Sequence, residues 1–205
     1  MNTAHPIQTV TLAFTGASGL PYGMRLLECL LQAGKTVWLL YSQAAQVVAK
    51  QETDWALPGD AKACQQMLCE HFQVSQEQLR VFGKDEWFAP PASGTNPADA
   101  MVICPASMGV VAAVAHGTSD HLIERAADVC LKERRPLIIV PREAPFSTLH
   151  LENLLKLSQW GAVILPPSPG FYHHPKSIED LIDFVVARIL DQLRIEHKLM
   201  QKWGS

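Results

Sequence analysis

The chain has no long run of lysine and arginine, no C-x-x-C pair, no apolar stretch longer than a strand, and no internal repeat or low-complexity segment. Each absence closes a class. A net charge of −3 without a basic patch excludes a surface built for nucleic acid or an anionic membrane. Strand-length apolar runs leave nothing to span a bilayer. The N-terminus lacks a basic segment followed by an apolar stretch, so no secretory leader is expected. Charged residues are scarce at 18% and hydrophobic ones make up 48%, which excludes disorder. With 205 residues, a single domain with a substantial core is expected.

The five cysteines are an odd count with no pairing pattern, which implies a reduced, cytoplasmic protein. Cys29, Cys104 and Cys130 sit within apolar elements and read as small core residues. Cys64, Cys69 and His71 invite a zinc reading. Positions five apart on a helix point in different directions and no fourth ligand is evident, so no metal is expected.

What is present begins with the apolar run Thr9–Phe14, which opens into Thr15-Gly16-Ala17-Ser18-Gly19 and then a helical pattern from Leu20. A strand that turns through small residues into a helix builds an anion site, because unpaired amides at the helix start point at a phosphate. The spacing is neither a dinucleotide fingerprint nor a P-loop. A mononucleotide phosphate fits better. Further β-rich runs recur at Val37–Tyr41, Ala100–Cys104, Leu137–Val140 and Ala162–Leu165. Helical patterns occupy 20–33, 43–51, 61–71, 106–115, 120–134, 148–160 and 177–194. Strands alternating with helices predict a parallel sheet covered on both faces, with ligands beyond the carboxyl ends of the strands. There stand Gly16-Ala17-Ser18, Ser42, Pro105-Ala106-Ser107-Met108-Gly109, Pro141-Arg142-Glu143 and Pro166 to Tyr172. Hydroxyls, amides and one arginine converge on a single rim. The stretches 53–60 and 83–99 are the least regular. Apolar residues in the tail from Arg194 predict a covering surface, such as a neighbouring subunit.

These rim residues, in this order, resemble the UbiX-type flavin prenyltransferases, within the larger family of flavin-binding, cysteine-decarboxylase-like proteins. The matching motifs are Thr15 to Gly19, Ser93-Gly94, Met101 to Pro105, Leu122 to Val129, Pro141 to Pro145 and Pro169 to Tyr172. The resemblance implies a Rossmann-like α/β domain that binds FMN and takes dimethylallyl monophosphate as prenyl donor. The isoprenyl unit joins N5 and C6 of reduced FMN, and a separate UbiD-type decarboxylase receives the product. By the same resemblance Gly16, Ala17, Ser18, Ser42, Ser107, Met108, Gly109, Val110 and Arg142 contact FMN. Tyr172 and Arg188 hold the donor phosphate, and Trp203 closes the site. Ser18, Glu52, Arg125, Lys132 and Glu143 surround the reacting centre. A homo-oligomer, commonly a dodecamer with sites between subunits, is implied, and no metal.

The chemistry accounts for these residue types. A monophosphate leaving an allyl carbon without a metal needs Arg, Lys and a Tyr hydroxyl to stabilise its charge. An aromatic face such as Trp203 stabilises the allyl cation. Closing the ring at C6 needs a base, for which Glu143 is preferred over Glu52, with Ser18 as a relay. Each assignment has a plainer rival. Arg188 reads also as a solvated helix residue, and Arg125 and Lys132 as partners of Glu124, Asp128 or Glu133. Glu52 reads also as helix-end surface, Tyr172 as a loop anchor and Trp203 as an interface aromatic. His173 and His174 read as solvent-facing. Relatives often carry Asn at His121 and Cys at Ala106. Two other activities remain open: an FMN-dependent decarboxylase of a cysteine-type substrate, and a non-catalytic FMN carrier.

Overall fold

The computed structural model describes residues 6–200. Trp203, the expected closing aromatic, lies outside the described residues. Six strands form one wholly parallel sheet in the order β3-β2-β1-β4-β5-β6. They are β1 (Thr9–Phe14), β2 (Thr36–Tyr41), β3 (Leu79–Phe82), β4 (Ala100–Ala106), β5 (Leu137–Pro141) and β6 (Val163–Ile164). Seven helices connect and cover them among the described residues: α1 (Leu20–Gln32), α2 (Gln43–Glu52), α3 (Ala61–Phe72), α4 (Met108–His116), α5 (Leu122–Lys132), α6 (Thr148–Gln159) and α7 (Ile178–Gln192). A single 3-10 turn, Pro90–Ala92, interrupts the long loop before β4. The Rossmann-like fold expected from the sequence is therefore the one observed.

Strand alternation divides the core in two. Val10, Leu12 and Phe14 of β1 face α1, α2, α3 and α7, while Ala13 points to the side of α4, α5 and α6. The same split runs through β2, where Leu39 and Leu40 join opposite clusters. Both faces being buried explains why these strands read as continuous apolar runs.

The edge strand and the start of α4 differ from the sequence expectation. The strand β3 is missing from it, because four residues with Arg80 in the middle give too little β signal. This strand is the sheet edge, and its Val81 amide donates to Oε1 of Gln65 on α3 at 2.9 Å, which blunts the edge. The helix expected from residue 106 begins at Met108 instead. Ala106 is still in β4, fully buried, and Ser107 provides the cap by accepting from the Val110 amide. The tail turns back on its own chain: Ile195 is buried, and Leu199 and Met200 pack against the core beside α7.

All five cysteines are buried and free. Burial pushes the thiols of Cys29 and Cys64 up to about 11 and that of Cys130 up to about 12, so they stay neutral and apolar near pH 7. Cys104 is shifted the same way by complete burial.

Candidate active site

The strand order reverses direction between β1 and β4, the point at which such sheets bind ligands. The loops after these two strands are tied together by one buried hydroxyl. Thr15 Oγ1 donates to the Pro105 carbonyl at 2.7 Å and accepts from the Ser107 amide at 2.7 Å. Sequence reading placed Thr15 in the motif and gave it no role. Its signal was only a threonine at a strand end.

The rim holds the flavin candidates in one place. The amides of Gly16, Ala17, Ser18, Met108 and Gly109 have no hydrogen-bond partner among the described residues. Ser42 caps α2 by accepting from the Ala45 amide at 3.1 Å, and Ser107 opens α4, so two helix N-termini with positive ends face the crevice. Arg142 follows β5, its amide donating to Ala106 at 3.2 Å, and its exposed guanidinium makes no ion pair among the described residues. Gly16 approaches α2 so closely that a Cβ there would collide with that of Ala44. Unpaired amides, hydroxyls and one free arginine are the donor set that a phosphate and a flavin ring require, so the residues present fit FMN.

One expectation changes. The sequence predicts an open anion site at the α1 N-terminus. Its first amides are occupied: Glu52 Oε2 accepts from Gly19 at 2.8 Å and from Leu20 at 3.1 Å. Gly19 adopts φ +110°, a conformation suited to glycine, and has no side chain to cap the helix itself. Glu52 therefore supplies the cap from the end of α2, and the phosphate-binding amides are those before Gly19. The surface reading of Glu52 does not hold. Glu143 is exposed on the loop after β5, its Oε1 accepting from the Ala144 amide at 3.1 Å.

The remaining charged candidates lie elsewhere and are paired within the chain. Arg125 Nε donates to the Ala92 carbonyl at 3.1 Å and Nη1 to Asp128 at 2.6 Å. Lys132 pairs with Glu133 and fills the space beside Gly94, where an added Cβ would meet it. The pairing lowers the Glu133 carboxyl below its ordinary range. Lys132 ends α5, just before β5 begins, whereas Arg142 follows the end of β5. Five strand residues separate the two ends by about 16 Å, so within one chain Lys132 stands at the opposite edge of the sheet from the rim.

Tyr172 and Arg188 form a third group around Phe184. The Tyr172 ring lies 5.7 Å from Phe184, and Arg188 is one helical turn further along α7. His173 stacks on Phe184 at 5.3 Å and both its ring nitrogens are buried without a partner among the described residues, contrary to the solvent-facing expectation. His121 is the exposed N-cap of α5, its amide donating to Glu124 Oε2 at 3.2 Å.

A doubly covered parallel sheet with an anion-binding crevice at its switch point defines a nucleotide-binding α/β protein. The sequence profile of the Flavoprotein family matches residues 1–190. The flavin prenyltransferase UbiX of Pseudomonas aeruginosa is 59% identical over 198 residues, covering 97% of this chain and 95% of its own length. The solved structure of AnUbiX (PadA1), in complex with FMN and dimethylallyl pyrophosphate, superposes with a TM-score of 0.85 at 37% identity, over 97% of this chain and 98% of that one. A dodecameric FMN-dependent UbiX-like decarboxylase from Escherichia coli O157:H7 superposes with a TM-score of 0.85 at 35% identity, over 97% and 100%. The chain belongs to the flavoprotein family, among the UbiX-type flavin prenyltransferases.

Proposed function

We propose that this enzyme transfers a dimethylallyl group from dimethylallyl monophosphate to reduced FMN and releases prenylated FMN to a UbiD-type decarboxylase. The single observation that carries the reading is the rim: free amides of 16–18 and 108–109 and the unpaired Arg142 guanidinium gathered at the switch point. Reduced FMN supplies the nucleophilic N5 and C6 positions. Gly16, Ala17, Ser18, Ser42, Ser107, Met108, Gly109, Val110 and Arg142 hold the flavin in this reading. Lys132, Arg188 and Tyr172 take the leaving phosphate, Arg125 adds positive charge beside it, and Trp203 covers the allyl fragment. Glu143 removes the C6 proton, with Ser18 as relay, and Glu52 fixes the flavin turn through the Gly19 and Leu20 amides.

Lys132 and Arg188 reach a flavin held on the rim when neighbouring copies bring them there. The separation of Lys132 from its own rim supports a shared site, as does the dodecamer formed by the E. coli relative. A cytoplasmic homo-oligomer is the corresponding form. No helix among the described residues is long and apolar enough to cross a membrane. The cysteine-decarboxylase and flavin-carrier readings are not favoured, since the likeness to flavin prenyltransferases runs through 97% of the chain.

The test is anaerobic: protein, reduced FMN and dimethylallyl monophosphate, with the extracted flavin weighed. A mass gain of one C5H8 unit is expected, and unchanged FMN would refute the assignment. A Glu143→Gln chain that works at the wild-type rate would remove Glu143 as base.

A further inference from the structure

Arg188 is held by a carboxylate that is itself held. Its Nη1 donates to Asp191 Oδ2 at 2.6 Å, one turn along α7. The other oxygen of the same carboxylate, Oδ1, lies 3.1 Å from Nε2 of His197 in the segment beyond the helix. The three side chains are progressively covered: 51% exposed for Arg188, 38% for Asp191 and 12% for His197. An exposed i,i+3 ion pair alone fixes little, because two long side chains keep most of their freedom. Here the carboxylate has both oxygens engaged, one of them by a ring that is almost enclosed. The chain around that ring is anchored by buried Leu193 and Ile195.

The donor count points to a purpose. A guanidinium has five N–H groups, and Asp191 takes one of those on Nη1. Nε and Nη2 have no partner among the described residues, and together they make the edge that grips a phosphate with two parallel hydrogen bonds. A carboxylate beside a phosphate site is otherwise unfavourable through like-charge repulsion, and a hydrogen bond from His197 draws charge away from it. His197 Nδ1 is buried with no partner, so Nε2 is the ring's one hydrogen bond among the described residues, and it is spent on Asp191. Arg194, Glu196 and Lys198 line the same hollow and supply the surrounding charge.

We propose that His197 is a positioning residue that acts through Asp191 to hold the Arg188 guanidinium for the phosphate of the prenyl donor. The inference rests on the prenyl-transfer reading above. It adds a residue that touches neither flavin nor donor and sets the affinity for the donor's phosphate.

The experiment uses full-length protein loaded with FMN. Binding of dimethylallyl monophosphate is followed by calorimetry on the oxidised form, and KM and kcat are then measured anaerobically on the reduced form. His197→Ala is expected to weaken monophosphate binding and raise KM about fivefold or more, with kcat and FMN affinity within about twofold of wild type. His197→Gln is expected to restore binding, because its amide N–H reaches the same carboxylate oxygen. Unchanged donor affinity in His197→Ala would overturn the proposal. So would a joint fall of FMN affinity, kcat and donor affinity that His197→Gln does not rescue, which marks a packing role. Wild-type protein that binds the monophosphate and transfers nothing would refute the prenyl-transfer reading instead. The His197 contrast in binding would still decide the proposal in that case.

Discussion

The rim and the two helices α5 and α7 treat their polar groups in opposite ways. On the rim the backbone amides of 16–18 and 108–109 and the Arg142 guanidinium lack protein partners among the described residues, although hydroxyls and caps around them are satisfied. On the helices every charged candidate already has one: Arg125 has Asp128, Lys132 has Glu133 and Arg188 has Asp191. Unpaired donors in a crevice mark where a ligand supplies the missing partners. Paired charges mark groups that already have a protein partner before any ligand arrives. One chain thus leaves its donors open at the rim and closes its charges on α5 and α7, the division on which the proposed shared site rests.

The contrast breaks most sharply at Gly16. Gly16→Ala pushes a methyl into Ala44 and should weaken FMN binding by about a hundredfold, and Ala44→Gly should recover much of the loss. Fluorescence titration with FMN reads both. Lys132→Ala should act on the other side alone. Transfer falls about a hundredfold while FMN affinity stays within about twofold, measured by product mass and by the same titration. A smaller effect belongs to Glu52→Gln. It keeps the shape and removes the negative charge to which the Gly19 and Leu20 amides donate, so thermal unfolding should show a loss of about 1 kcal/mol.

The last effect concerns pH and is read on stability alone. Buried Cys29, Cys64 and Cys130 have thiols raised to between about 11 and about 12. A raised thiol keeps its proton in the folded state when the unfolded chain has already lost it. Its stabilising contribution is therefore complete below the ordinary value of 9.0 and fades as pH rises through 11 to 12. Chemical denaturation at pH 8 and pH 10.5 should show the decline. A thiol reagent at pH 8 should label less than one of the five cysteines in the native protein.

Much of this architecture could be read before any coordinates. Strands buried on both faces announce themselves as apolar runs, and β1, β2, β4 and β5 fall within about two residues of their expected ends. The rim followed from the strand ends, because ligands bind there in parallel sheets. What escaped was decided by tertiary contact. The strand β3 is short, carries Arg80, and exists because it pairs with β2 and meets Gln65. The cap that Glu52 provides spans 33 residues to Gly19, and no local pattern encodes it. Thr15 reads as one more residue of the turn motif, yet its hydroxyl joins two loops 90 residues apart. His173 reads as solvent-facing because two adjacent loop histidines give no hint that Phe184, eleven residues on, stacks with the first of them.

Sharing of each site between copies is the claim most directly open to measurement. Gly16→Ala chains lack the flavin half and Lys132→Ala chains lack the donor half, and each homogeneous oligomer should be inactive. Unfolding the two together, refolding the mixture and assaying prenylated flavin should return roughly a quarter of wild-type activity, the share expected from random assortment in a closed assembly. A mixture as inactive as its parents, with both chains shown to be in one oligomer, would mean that Gly16 and Lys132 serve the same flavin from the same chain and would contradict the account.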